Sequence, residues 1–204
     1  MRVALRAIRR ALQHVWVAGY TCIWANVAFV VLSLPVVTLP AAWSALVYVH
    51  RQSLTEPTDA VLGTFWETFK SNLGRSVLWG GAHLLFAVIN FGNLAMFWTA
   101  EGAAAAFLRT IWLVAGIAWL AVVLYTWPIY YAMETPSVRR ATRNALVMVG
   151  RNPALALMIV SVTAIVGVAS MAFAAAWLLL TWSVWAVMAV MAVDEELAAW
   201  RGVQ

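Results

Sequence analysis

The chain is 204 residues long, 65% apolar and 10% charged, with a formal net charge of +5. A soluble domain is about 45–50% apolar and about 25% charged, so lipid must stand in for water over much of this surface. The mean hydropathy of +0.86 agrees, and disordered, collagen-like and disulfide-rich secreted classes are excluded.

Residues 1–14 carry Arg2, Arg6, Arg9 and Arg10 and no acid, with apolar residues at helical spacing. They read as a cationic juxtamembrane helix whose arginines face anionic headgroups. It lacks the short apolar run and cleavage site of a signal peptide. Residues 15–50 read as a Pro-broken helical hairpin. Residues 15–34 form a first span, and residues 36–49, where Pro35 and Pro40 break the helix, form a second segment rising only ~21 Å. Residues 59–73 read as an amphipathic helix introduced by Pro57 and Thr58, with Leu62, Phe65, Trp66, Phe69 and Leu73 on its apolar face. Residues 77–133 hold two spans, 77–98 and 111–133, joined by a nearly uncharged external loop at 98–110. Residues 137–149 form a basic amphipathic helix with Ser137 as N-cap, closed by Gly150 and Asn152-Pro153. The apolar run 154–193 would be twice the membrane thickness as one helix. It must fold back near residues 170–176 into a helical hairpin.

The expected fold is therefore all-α: a single polytopic domain with five or six membrane segments and two cytoplasmic amphipathic helices. If residues 36–49 return the chain to its starting side, twelve of the thirteen basic residues share one side and Arg109 alone lies opposite. A single crossing gives eight against five. The positive-inside rule favours the first arrangement, with both termini cytoplasmic. The positive charge is then a membrane feature, and no nucleic-acid partner is expected. Arginine outnumbers lysine twelve to one, which fits GC-rich bacterial coding and a bacterial cell (inner) membrane. Cys22 has no intrachain disulfide partner. A short echo, residues 72–75 against 150–153, raises an internal duplication.

The stretch 26–40, Asn-Val-Ala-Phe-Val-Val-Leu-Ser-Leu-Pro-Val-Val-Thr-Leu-Pro, resembles the most recognisable motif of the YesL-like family of small bacterial membrane proteins. The resemblance continues at Ala41, Ala42, Ala45 and Leu46. It returns at Phe65-Trp66 and Phe69-Lys70-Ser71-Asn72, then at Pro128, at Arg143-Asn144-Ala145-Leu146 and at Arg151-Asn152-Pro153. It covers roughly residues 16–155. It implies a membrane location and frequent association with carbohydrate ABC-type uptake systems. It implies no catalytic residues, for the family has none assigned.

Read physically, Pro35 removes a backbone donor and Thr38 can reach back to a freed carbonyl. Broken helix at membrane depth is tolerated where it is buried in protein or lines a cavity. Asn26, Pro35 and Thr38 thus belong either to a structural hairpin or to a substrate path. His83 is the one ionisable residue clearly inside a span, with Asn90 on the same helical face and Asn93 about 60° round. Together they mark a polar pathway or a helix contact. No clustered metal ligands, nucleophile–base arrangement or phosphate-binding loop is visible, so no metal, cofactor or catalytic residue is expected. Lys70, Arg139, Arg140 and Arg143 are the candidates for contact with lipid or a partner. The expectation is a non-enzymatic accessory membrane protein. Its partners would be the bilayer, permease subunits of an ABC transporter and, in addition, copies of itself. The alternative is a small transporter or channel built on the Pro-broken hairpin and the polar face around His83.

Overall fold

The computed structural model describes residues 2–55 and 61–202; it is 91% helical, with no strand among the described residues. Helix α1 (Arg2–Val17) buries Ala4, Ala7 and Ala11 against the C-terminal helix, while Leu5, Leu12 and Trp16 on the adjoining face are exposed. A helix with one side on protein and an apolar flank outward suits an interface. Arg6, Arg9 and Arg10 are exposed. Arg6 and Arg10 bond to Glu195 at 3.3 and 2.7 Å, because that carboxylate is buried and needs a cation.

The chain then bends by 93° into α2 (Gly19–Ser33). The first apolar segment therefore starts at Gly19 rather than at residue 15. Val15 belongs to α1 and packs on the core. Pro35 ends the segment, a single 3-10 turn follows at Val36–Thr38, and α3 (Leu39–Ser53) returns. The short Pro-broken second segment is thus present. Every residue of α3 from Ala41 to Val47 is buried. A helix apolar on all sides belongs in the centre, and α3 lies among α2, α5, α9 and the long helix that follows.

That helix, α4 (Val61–Trp98), has 38 residues without a break. The separate amphipathic helix at 59–73 is corrected: it is the first half of the span-forming helix, and its predicted start at Pro57, Thr58 and Asp59 lies outside the described residues. Gly74 does not stop it, since one interior glycine costs only about 1 kcal/mol against a long seam on α3. That seam is Val61, Phe65, Thr68, Asn72, Ser76 and Trp79, all buried. Phe65 and Phe69 of the expected apolar face are buried, but Leu62, Trp66 and Leu73 are outward, and Thr68 and Asn72 are inward. The echo at 72–75 fails with it, for residues 150–153 do break a helix.

Helix α5 (Ala103–Ala132) begins earlier than expected, because the alanines at 103–106 are strong helix formers. The loop shrinks to residues 99–102, and Arg109 sits within α5, donating to the Trp98 carbonyl at 2.9 Å. Helix α6 (Val138–Arg151) buries Ala141, Ala145 and Met148 on α5. Ser137 is at its N-cap position but makes no capping side-chain bond. Asn152 ends α6 and caps α7 (Pro153–Met171), accepting from the Leu155 N–H at 3.2 Å. The chain turns at residues 172–173, as expected. One turn of α8 (Ala174–Ala176), a π-helical turn at Trp177–Thr181 and α9 (Trp182–Arg201) complete the fold.

Four helical stretches are long and apolar enough to cross a membrane, at 61–98, 103–132, 153–171 and 174–201; α1 and α2 make a fifth if the bent pair is one span. This is a multi-pass, all-helical membrane protein. Three polar links gather one end of the bundle: Arg10 with Glu195, Arg51 with Asp194 at 3.0 Å, and Asn152 with Glu196 at 2.8 Å.

Candidate functional site

Most of the polar side chains on the apolar helices are held by backbone groups. Asn26 is fully buried; its Nδ2 donates to the Trp177 and Leu178 carbonyls at 2.9 and 2.7 Å, and its Oδ1 accepts from the Ser183 N–H at 2.9 Å. These groups belong to the π turn and to the first turn of α9. Thr38 shares its hydroxyl proton between the Pro35 carbonyl, at 2.7 Å, and that of Leu32. Asn90 is buried and donates to the Trp112 carbonyl at 2.9 Å, with its amide seated over Gly116. Asn93 donates within its own helix, to Ile89. The structure therefore does not join Asn26, Pro35, Thr38, His83, Asn90 and Asn93 into one site.

His83 stands apart from the asparagines. It is partly buried beside Trp79, with ring centroids 4.3 Å apart, and its Nδ1 accepts from Trp119 Nε1 at 2.9 Å. Together these rings wall an apolar cavity of about 400 Å³ shared by α2, α3, α4, α5, α7 and α9.

A polar groove of about 700 Å³ opens between α3, α4 and α5, lined by Tyr48, Gln52, Glu67, Arg75, Tyr130 and Tyr131, among others. Behind it, Asn72 donates to Ser44 at 3.1 Å and to Tyr131 at 2.7 Å, while those two hydroxyls lie 2.8 Å apart. The triangle pins three helices at one height. Arg75 donates to the Tyr130 hydroxyl. The groove offers donors, acceptors and phenol faces to a polar group. The sequence reading missed it, because Ser44, Asn72 and Tyr131 come from three distant segments. Asn72 in the Phe-Lys-Ser-Asn stretch was the available signal.

On α6, Arg139, Arg140 and Arg143 are exposed, with Leu146 and Val147 exposed beside them. Arg140 donates to the Thr135 carbonyl at 2.8 Å. Lys70 is exposed too, paired with Glu67 at 2.8 Å and lying 5.5 Å from the Trp66 ring centre. At the same end, His14 Nε2 lies 3.1 Å from Ser53 Oγ, with its ring edge-on to fully buried His50. Burial pushes the His14 imidazole below its ordinary value, since an apolar setting disfavours the charged ring.

One family model matches. It describes a protein of unknown function, DUF624, and covers residues 22–94. That is about a third of the chain: α2, α3 and nearly all of α4, with one wall of both the groove and the cavity. It overlaps the stretch that resembles the YesL-like family. No curated protein and no solved structure matches the chain.

Proposed function

We propose that this chain is an accessory protein of the bacterial cell membrane, without catalysis of its own, that docks on permease subunits of an ABC-type uptake system, the substrate class being carbohydrate. The carrying observation is α6. Three small or flexible side chains root it on α5, and it presents three arginines beside Leu146 and Val147. A charged rim around an apolar patch is the make-up of a docking face. Lys70 adds to the same basic end. The carbohydrate and permease assignments rest on the family resemblance. The alternative of a solute path is disfavoured by the engagement of Asn26, Thr38 and Asn90 with backbone groups.

In this reading the basic end is cytoplasmic, both termini lie there, and the chain makes six passes, α2 and α3 being the two short ones. Reporter fusions at the N-terminus and at Glu101 should report opposite sides. The same side for both overturns the six-pass arrangement. For docking, a photoreactive residue at Val147 should crosslink permease subunits in the native membrane. An Arg139→Glu, Arg140→Glu, Arg143→Glu variant with normal membrane levels should lose at least fivefold of that yield. Capture of the chain alone, at verified crosslinking efficiency, overturns the proposal.

A further inference from the structure

The apolar cavity beside His83 is not used by the docking face on α6, and its chemistry defines a ligand. Five indoles line it: Trp43, Trp79, Trp119, Trp182 and Trp185. No residue that lines it carries a fixed charge. Leu84 and Ala164 on its wall are exposed, so it opens sideways between α4 and α7, onto the surface that the apolar helices present. Its volume of about 400 Å³ falls within the range of small-ligand sites, about 300–1,000 Å³.

One polar atom decides what kind of molecule fits. Trp119 Nε1–H can only donate, and it donates to His83 Nδ1. Nδ1 therefore carries the lone pair, the ring is neutral, and its single proton is on Nε2. Among the described residues that N–H has no hydrogen-bond acceptor, and it is not sealed off in the way that the Trp43 and Trp185 indole nitrogens are. An unpaired N–H facing hydrocarbon is costly. A neutral acceptor would satisfy it, whereas a carboxylate or phosphate would be left without a cation.

Depth narrows the class further. His83 is eight residues along α4 from Arg75, or ~12 Å, against a half-thickness of ~15 Å for the hydrocarbon core. With Arg75 at the headgroup level, a phospholipid ester carbonyl would have to sink most of that distance to reach Nε2. A planar carbonyl compound dissolved in the membrane interior would not. We propose that this cavity binds the head of a neutral prenylated quinone. Its ring would lie against the Trp79 and Trp119 indoles, one carbonyl would accept from His83 Nε2–H, and the isoprenoid tail would leave past Leu84.

The test uses the full chain purified in detergent and a ubiquinone bearing one isoprene unit. Tryptophan quenching should saturate, and native mass spectrometry should show a one-to-one complex. Ala87→Phe, which fills the cavity from α4, should weaken binding at least tenfold. His83→Phe should weaken it about fivefold, the worth of one neutral hydrogen bond, and His83→Gln, which restores a donor, should recover most of that. Where Ala87→Phe lowers folding yield, Ala164→Phe fills the same space from α7. Equal binding by wild type and both filled variants overturns the proposal. So does a native spectrum that retains phospholipid and excludes the quinone, which would make the cavity an acyl-chain site.

Discussion

The protein breaks its apolar helices twice away from the charged end, and it repairs the two breaks differently. At Pro35 the repair is local: the Thr38 hydroxyl reaches carbonyls three and six residues back. At Trp177–Thr181 it is remote: Asn26, more than 150 residues earlier in the chain, supplies two donors and one acceptor. Both repairs answer one constraint, since backbone polar groups in hydrocarbon have no water to turn to. The difference teaches that a break closed by its own neighbours can be read from a short motif. A break closed across the bundle cannot, because neither partner looks unusual alone.

The remote repair should be the more fragile. Asn26→Leu removes three hydrogen bonds from a buried site, at about 1–3 kcal/mol for each group left unpaired. It should produce the largest loss, several kcal/mol, seen as a steep fall in thermal midpoint. A loss equal to that of the local repair would show that the π turn finds other partners. Gly80→Ala tests how tightly the Pro-broken turn is seated. A methyl there would stand 2.2 Å from Pro40 Cγ, so the hairpin must shift, at about 1–3 kcal/mol. Thr38→Val leaves the Leu32 and Pro35 carbonyls to rearrange locally, and about 1 kcal/mol is expected. No change would mean that the proline turn is held by packing alone.

The bend between α1 and α2 is a third break, at the charged end, where polar groups can find other partners. It should respond weakly and through pH. His14 is held below its ordinary value of 6.5 by burial. The unfolded chain therefore takes up a proton before the folded one does. The stability tied to His14 should be complete above pH 6.5 and decline as pH falls toward the lowered value. Thermal midpoints measured from pH 7.5 to 5 should show a decline that His14→Gln makes shallower. An identical decline in the variant would assign it to other groups.

How much was legible follows the same division. The short second segment, the turn at residues 172–173 and the basic helix before Asn152-Pro153 were readable. Each depends on proline, helix length or local periodicity. The continuous α4 was not, because a glycine and an arginine inside an apolar helix look like a boundary until the seam on α3 is known. His83 was visible as an ionisable residue within a span. Its neighbour Trp119, 36 residues on, was not visible as its partner, nor was the cavity they share.

The sequence by itself determined that lipid is part of this protein's solvent, that it is helical, and where most apolar segments start and stop. Those properties are sums over residues or over one helical turn. Tertiary structure alone decided that α3 lies at the centre, that Asn26 closes a distant break, and that Ser44, Asn72 and Tyr131 meet behind a groove. These depend on which segments become neighbours. In a chain with so few polar groups, those that are paired, such as Asn26, Asn72 and Asn90, are committed by the carbonyl or hydroxyl that folding brings within about 3 Å of them.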